Sequence, residues 1–182
     1  DVMRNTKTAL RPACVATLAC AAAATAASPA HADMIDYGAL EALFGEPVTT
    51  SATGQPQRAS DAPANMTIIT AEDIRRSGAT DIPGVLRHIG GIDIMQWTSA
   101  DTEVSVRGYN REFSSRLLVL INGRQVYADH HGYTPWHMLP VELSEIRQIE
   151  VVKGPNSALF GFNAVGGVIN IITVDPEADD VD

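Results

Sequence analysis

The chain has 182 residues, the size of one domain with short appendages, and this length excludes a large multidomain enzyme. Acidic residues outnumber basic ones by 22 to 13, so the net charge is −9 with neutral histidines. Because a nucleic-acid-binding surface needs clustered basic residues, this balance argues against a nucleic-acid partner.

Residues 1–32 have the pattern of an export signal. Three basic residues precede an alanine-rich apolar stretch, which ends in Ala-His-Ala at residues 30–32. This is the order of a signal peptide with its cleavage site, and the apolar stretch is shorter than the roughly 20 residues that span a bilayer. Both cysteines, Cys14 and Cys20, fall inside the signal. The exported chain is therefore predicted to lack disulfides, a thiolate nucleophile and cysteine-ligated zinc.

Residues 33–65 are predicted to form a flexible leader. A short helical pattern at residues 35–44 is followed at 45–56 by a stretch rich in threonine, serine, glycine and proline. Such a stretch can bury little apolar surface, so we expect it to be extended and mobile.

Residues 66–174 are predicted to fold as one domain, because apolar segments alternate there with turn signals. The first segment is a strand at residues 66–69. A capping box from Thr70 to Asp73 then begins a short helix, which Gly78 ends.

A second helix is predicted from Asp81 to Gly90, because its apolar residues recur at i, i+3, i+4 and i+7. The apolar run at residues 117–121 precedes Asn122-Gly123, the pair typical of a type I′ hairpin turn. The other predicted elements are strands at 92–96, 103–107, 148–153 and 168–174, a helix at 140–146 and a helical turn at 156–160. Short strands mixed with short helices indicate an α+β domain.

Four stretches of this domain occur in a distinctive order and spacing: VSVRGY at 104–109, LLVLINGR at 117–124, IEVVKGPNSALFG at 149–161 and GGVINIIT at 166–173. Together they resemble the plug domain of TonB-dependent outer-membrane receptors. The resemblance covers residues 59–174 and implies a small mixed β-sheet with short helices. It also implies a role in transport, with no enzymatic activity and no cofactor.

The resemblance places a TonB box just before the plug, at residues 46–52. These residues are Glu46, Pro47, Val48, Thr49, Thr50, Ser51 and Ala52. An extended segment with β-branched residues can add as a strand to the sheet of a partner, which the resemblance implies to be the TonB C-terminal domain. A plain linker is the alternative interpretation of this segment.

The resemblance also implies a role for Arg107 and Lys153. Cations at these motif positions of the family face acidic residues of the enclosing β-barrel, where they could form charge-assisted hydrogen bonds. Without a barrel, the two residues are ordinary charges at strand ends.

By resemblance, the intact receptor takes up a scarce ligand such as an iron siderophore or cobalamin, with the plug closing the barrel. A barrel of about 22 strands needs roughly 220 further residues, whereas only an acidic tail at 175–182 follows the last predicted strand. We therefore expect a plug without its own barrel, either a partial gene product or a stand-alone protein. It would lie in the outer membrane with a barrel and in the periplasm alone.

Two other functions have weaker support in the sequence. One is a free-standing periplasmic ligand-binding protein, which would use an aromatic site near Trp97, Tyr109 and Trp136, and the other is a free-standing TonB-binding signalling module. A metal site at His130, His131 and His137 is not predicted, because their spacing in an irregular loop matches no common ligand set.

Overall fold

A computed structural model describes residues 35–62, 65–108, 116–126 and 133–174. These residues belong to a compact unit that begins at Ile35. The predicted export signal at 1–32 and the acidic tail at 175–182 lie outside the described residues.

Four helices and nine strands make up the described chain. The helices are α1 (Tyr37–Phe44), α2 (Ala71–Ser77), α3 (Ile82–Leu86) and α4 (Ser157–Phe160). The strands are β1 (Val48–Thr49), β2 (Gln57–Arg58), β3 (Met66–Thr70), β4 (Ile92–Gln96), β5 (Thr102–Val106), β6 (Leu117–Ile121), β7 (Arg124–Gln125), β8 (Ile146–Lys153) and β9 (Gly167–Thr173). Short 3₁₀ turns lie at Ala59–Asp61, Trp136–Met138 and Leu143–Glu145.

Five strands form a mixed sheet in the order β3-β8-β9-β6-β7. Strands β6 and β9 run parallel, and the other neighbours in this sheet are antiparallel. Strands β4 and β5 form a separate hairpin, as do β1 and β2. A small mixed sheet with short helices confirms the predicted α+β fold.

Local signals in the sequence produce the expected caps and turn. The Thr70 side chain accepts a hydrogen bond from the Asp73 backbone amide, and the Asp73 carboxylate accepts one from the Thr70 amide, which completes the capping box of α2. Asn122 and Gly123 both have positive φ, 49° and 77°, as a type I′ turn between β6 and β7 requires.

Two predicted helices are shorter than expected. Helix α3 ends at Leu86, and the chain continues to Ile89 in a tighter turn, in which the Ile89 amide bonds to the Leu86 carbonyl. The predicted helix at 140–146 is reduced to the 3₁₀ turn Leu143–Glu145. Its neighbours Leu139, Val141 and Leu143 pack against the core at a spacing of two residues, which is the period of extended chain and not of a helix.

One face of the sheet carries the main hydrophobic core. Alternate residues of the central strands, such as Ile149 and Ile171, point to this face and pack with residues of α2, α3 and the β4-β5 hairpin. The buried members of this core are Ile69, Ile74, Ile82, Val85, Leu86, Ile92, Val104, Val119, Trp136, Ile146, Ile149, Val151, Ile169 and Ile171.

The opposite face of the sheet is covered in part by the segment predicted to be a mobile leader. Within residues 35–62 the chain forms α1, β1 and β2, and Val48 and Thr49 are 0% exposed. The helical pattern predicted at 35–44 corresponds to α1, whereas the expectation that residues 45–56 bury little is wrong at Val48, Thr49 and Ser51. The physical reason is that polar side chains of the sheet supply hydrogen-bond partners for it, so its serine and threonine residues can be buried at little cost.

Candidate functional site

The predicted TonB box lies on the second face of the sheet. Its residues Val48 and Thr49 form β1, which pairs with β2 in the register Val48 to Arg58 and Thr49 to Gln57. Ser51 is also buried, at 2% exposure. At the start of the segment, Glu46 accepts a hydrogen bond of 2.8 Å from the Ser60 hydroxyl and lies 3.9 Å from the Arg58 guanidinium. The segment is thus docked on the sheet, with Val48–Thr49 as a short docked strand.

Three polar side chains of the sheet hold this docked strand: Gln148 and Glu150 of β8, and Asn170 of β9. They are 1%, 0% and 5% exposed. Glu150 and Asn170 are direct neighbours across the two strands, and Gln148 lies two residues from Glu150 on the same face. We call these three residues the polar anchor.

Hydrogen bonds connect the polar anchor to the strand in a continuous chain. Gln148 Nε2 donates to the Val48 carbonyl at 2.8 Å and to Glu150 Oε1 at 2.9 Å. Glu150 Oε2 accepts from both the backbone amide and the hydroxyl of Ser51. Asn170 Nδ2 donates to the same hydroxyl at 3.1 Å, and Asn170 Oδ1 accepts from the Gly123 amide at 3.3 Å. The anchor therefore joins residues about a hundred positions apart in sequence.

Sequence reasoning did not find the polar anchor. Gln148 and Glu150 alternate with Ile149 and Val151, a pattern that is typical of a strand with one solvent-exposed face. A signal was nonetheless present, because Asn170 stands alone within an otherwise apolar strand, where a polar side chain needs a buried partner.

Burial raises the pKa of the Glu150 carboxyl above its ordinary value of 4.5, and hydrogen bonds, first of all from Ser51, oppose that rise. Burial also raises the pKa of the nearby Tyr37, whose hydroxyl lies 3.0 Å from the Thr50 hydroxyl. The charged neighbours on this side are Arg147 and Glu41, which form an ion pair of 2.8 Å between β8 and α1. A net rise means that burial favours the protonated form of Glu150.

This rise predicts how stability depends on pH. The folded-state pKa of Glu150 lies above the unfolded value. The contribution of Glu150 to the free energy of unfolding is therefore fully present below about pH 4.5, and it is lost as pH rises through the raised pKa. We expect the free energy of unfolding in urea, measured at several pH values, to show this decrease in the wild type. In Glu150→Gln the decrease should be absent, since the amide does not titrate.

Glu72→Gln is the matched control for this pH dependence. Glu72 is exposed on α2, and hydrogen bonds from Arg75 and Arg76 lower its pKa, so its contribution to stability is lost as pH falls. Its replacement should therefore leave the decrease above pH 4.5 in place. Identical pH profiles of the wild type and Glu150→Gln above pH 4.5 would contradict the assignment to Glu150.

Arg107 and Lys153, the predicted barrel contacts, lie around one turn of the chain. The Arg107 amide donates to the Gly91 carbonyl at 2.9 Å, and Lys153 Nζ donates to the Gly90 carbonyl at 3.2 Å. Arg107 is exposed and Lys153 is partly exposed. In the part of the chain that the structure describes, neither cation forms an ion pair.

The other candidate residues do not come together. Trp136 is buried in the main core, whereas Trp97 is 54% exposed at the end of β4, and Tyr109 lies outside the described residues. His130 and His131 also lie outside them. Among the described residues there is no group of three or more histidine, cysteine, aspartate or glutamate residues that could hold a metal ion. No helix in the described ranges is long and apolar enough to cross a membrane.

Comparison with known families identifies the domain. The model of the TonB-dependent Receptor Plug Domain family matches residues 58–168, which is more than half of the chain. The chain belongs to the TonB-dependent receptor plug family. The matched residues include both barrel-contact candidates and two members of the polar anchor, Gln148 and Glu150, whereas Asn170 lies just after them and the predicted TonB box shortly before them.

Solved structures that align with this chain include receptors. The ferripyoverdine receptor of Pseudomonas aeruginosa, bound to ferripyoverdine, aligns with a TM-score of 0.60 and 23% identity over 72% of this chain. The structure of the FpvAI-pyocin S2 complex gives the same values. The siderophore receptor PirA from Pseudomonas aeruginosa is 34% identical over 64% of the chain, with a TM-score of 0.48. The chain spans 17% to 19% of the length of these structures.

Proposed function

We propose that this chain is the plug of a TonB-dependent uptake receptor and that it gates an outer-membrane β-barrel. The observation that carries the proposal is the family match over residues 58–168. The ligand class that we propose is a scarce nutrient, such as an iron siderophore or cobalamin. The proposal assigns binding and transport to the chain and no catalytic step.

The proposed contact with the energy-transducing partner is the segment 46–52. Support comes from its position shortly before the matched residues 58–168 and from its ability to adopt a strand, since Val48 and Thr49 already form one. A strand can be recognised by main-chain hydrogen bonds when it adds to the sheet of another protein. We propose that the TonB C-terminal domain is that protein.

The proposed contacts with the barrel are Arg107 and Lys153. Support comes from their common position around the Gly90–Gly91 turn and from their exposure without an ion-pair partner in the described ranges. Two cations at one end of the domain can pair with acidic residues of a surrounding wall. With a barrel, the chain would lie in the outer membrane.

The test is the binding of the purified 182-residue chain to the TonB C-terminal domain, measured by isothermal titration calorimetry. We expect the full chain to bind and a variant that lacks residues 46–52 to show no measurable binding, because the added strand is then missing. Equal binding by the deletion variant would contradict the assignment of the box.

The deletion removes buried residues, so a control independent of folding is needed. A synthetic peptide of residues 46–52 provides it, together with a peptide of the same composition in scrambled order. The native peptide should bind the TonB domain and the scrambled one should not. If neither binds, the proposed partner is wrong even where the deletion variant loses binding.

A further inference from the structure

The turn between β6 and β7 carries a residue pair that can react with itself. Asn122 is exposed and precedes Gly123, and no other asparagine of the sequence precedes a glycine. Asparagine is a thermally labile residue, because the backbone nitrogen that follows it can attack its side-chain carbonyl carbon. Glycine has no Cβ atom, so its nitrogen is the least shielded from the reacting groups. The pair therefore has the chemistry of a spontaneous deamidation site.

The reaction takes place in two balanced steps. The Gly123 nitrogen loses its proton and bonds to Asn122 Cγ, the bond from Cγ to Nδ2 breaks, and Nδ2 takes up one proton and leaves as ammonia. One water molecule then opens the five-membered succinimide ring. Opening at Cγ gives aspartate, whereas opening at the backbone carbonyl carbon gives isoaspartate, in which the main chain continues through Cγ.

Hydrogen bonds to β9 fix the carboxamide of Asn122. Its Nδ2 donates to the Thr173 hydroxyl at 2.8 Å, and its Oδ1 accepts from the Thr173 amide at 3.0 Å. The Asn122 backbone amide also donates to the Ile171 carbonyl at 2.9 Å. Ring closure needs the attacking nitrogen aligned against Cγ, so a carboxamide that is held at both of its polar atoms resists the reaction.

The attacking nitrogen is held as well. The Gly123 amide donates to Asn170 Oδ1 at 3.3 Å, and Asn170 is 5% exposed on β9. This nitrogen must lose its proton before it can attack, and the amide oxygen of Asn170 accepts a hydrogen bond without removing the proton. Both reacting groups are therefore fixed to β9 in the folded domain.

We propose that Asn122 is a deamidation site that the folded domain protects, and that the reaction takes place when the β6-β7 turn detaches from β9. Thr173 and Asn170 are positioning residues in this proposal, because they act through the two groups that react. The proposal is independent of the proposed function, since it rests on contacts within the domain alone.

Either product weakens the turn. An aspartate at position 122 has no N–H group to donate to the Thr173 hydroxyl, and it adds a negative charge to a chain that is already acidic. An isoaspartate lengthens the main chain, so the type I′ turn and the register of β7 against β6 are lost. Deamidation would therefore loosen the end of β9.

The test follows deamidation in the purified 182-residue chain at mildly alkaline pH, by peptide mapping with mass spectrometry. A reaction confined to the detached turn proceeds at the intrinsic rate multiplied by the detached fraction. We expect conversion at Asn122 to be about tenfold faster or more in urea that unfolds the chain than in buffer. Asn156, which precedes Ser157, is the internal control and should react far more slowly in urea.

Two results of this experiment would overturn the proposal. Equal rates at Asn122 in urea and in buffer would contradict protection by the fold. No conversion at Asn122 in urea would contradict the site itself.

Thr173→Val tests the contribution of the hydrogen bonds. Valine removes the hydroxyl that accepts from Asn122 Nδ2 and keeps the backbone amide and the β-branched shape. We expect conversion at Asn122 to be about threefold to tenfold faster in buffer, because one hydrogen bond is lost, and unchanged in urea. Thr67→Val, the same change in the edge strand β3, is the matched control and should leave the rate unchanged.

Hydrogen exchange and a conservative variant separate local detachment from loosening of the whole sheet. Exchange at the Gly123 amide should increase in Thr173→Val by the same factor as deamidation, while exchange at Ile149 in β8 stays at the wild-type rate. Thr173→Ser keeps the hydroxyl and should keep the wild-type rate of deamidation. Unchanged deamidation in Thr173→Val, or equal acceleration in Thr173→Ser, would overturn the role assigned to the Thr173 hydroxyl.

Discussion

Replacing Gly167 with alanine is expected to lower the free energy of unfolding by about 1–3 kcal/mol. Gly167 lies at the start of β9, where it is paired with Lys153 on one side and Leu117 on the other. A Cβ atom at this position would lie 2.6 Å from the Val152 carbonyl oxygen and 3.3 Å from a methyl group of Val106.

The size of this effect follows from what the new methyl group would meet. The carbonyl of Val152 belongs to the backbone of the central strand β8, so it cannot rotate away as a flexible side chain would. Relief requires strands β8 and β9 to separate locally, which weakens the sheet near Lys153. Urea unfolding followed by circular dichroism measures the change, as a lower midpoint with an unchanged slope.

Gly90→Ala is the matched control. Gly90 is exposed, and a Cβ atom there would meet nothing within 4 Å. Its replacement should leave the free energy of unfolding unchanged or raise it slightly, because alanine has less conformational freedom than glycine in the unfolded chain. Equal changes in the free energy of unfolding at both positions would show that the loss at Gly167 comes from replacing a glycine as such and not from the close approach of β8.

Local signals account for the parts of the fold that the sequence predicts well. The capping box at Thr70 and Asp73 and the turn at Asn122-Gly123 involve residues within three positions of one another. Their geometry depends on backbone conformations that only a few residue types favour, so neighbouring residues suffice to predict them. The motifs at 104–109 and 149–161 are also short and local, and they predict the family that the match over residues 58–168 shows.

The docking of residues 46–52 could not be predicted in this way. Ser51 and Glu150 are 99 positions apart, and each is ordinary in its own sequence context. A serine among threonine, glycine and proline predicts a loop, and a glutamate alternating with apolar residues predicts a solvent-facing position. Only the fold brings the two together, and their burial then depends on the complementary hydrogen bonds between them.

The same limit explains why the burial of the second sheet face was not predicted. The sequence shows that Gln148 and Glu150 point away from the main core, and the structure agrees. Alternation in a strand distinguishes the two faces but does not reveal what covers the polar one. In this chain the polar face is covered by a segment that precedes the sheet in sequence. The predicted partner-binding strand lies in that segment and is buried as a result.

Ile149→Ala is expected to have the largest effect on stability, a loss of about 2–5 kcal/mol in the free energy of unfolding. Ile149 is 0% exposed on the central strand β8, paired with Ile69 on one side and Ile171 on the other. It lies in the main core with residues of α2 and α3, so truncation leaves a cavity that the two flanking strands prevent from collapsing.

Phe162→Ala is the control for Ile149→Ala, and the comparison separates core packing from hydrophobicity itself. Phe162 is a larger apolar side chain but is 86% exposed, so its removal deletes little buried contact and should change the free energy of unfolding by no more than about 0.5 kcal/mol. Urea unfolding of both variants measures the difference. A loss at Ile149 no larger than that at Phe162 would contradict a core centred on β8, since burial and not residue size sets the loss.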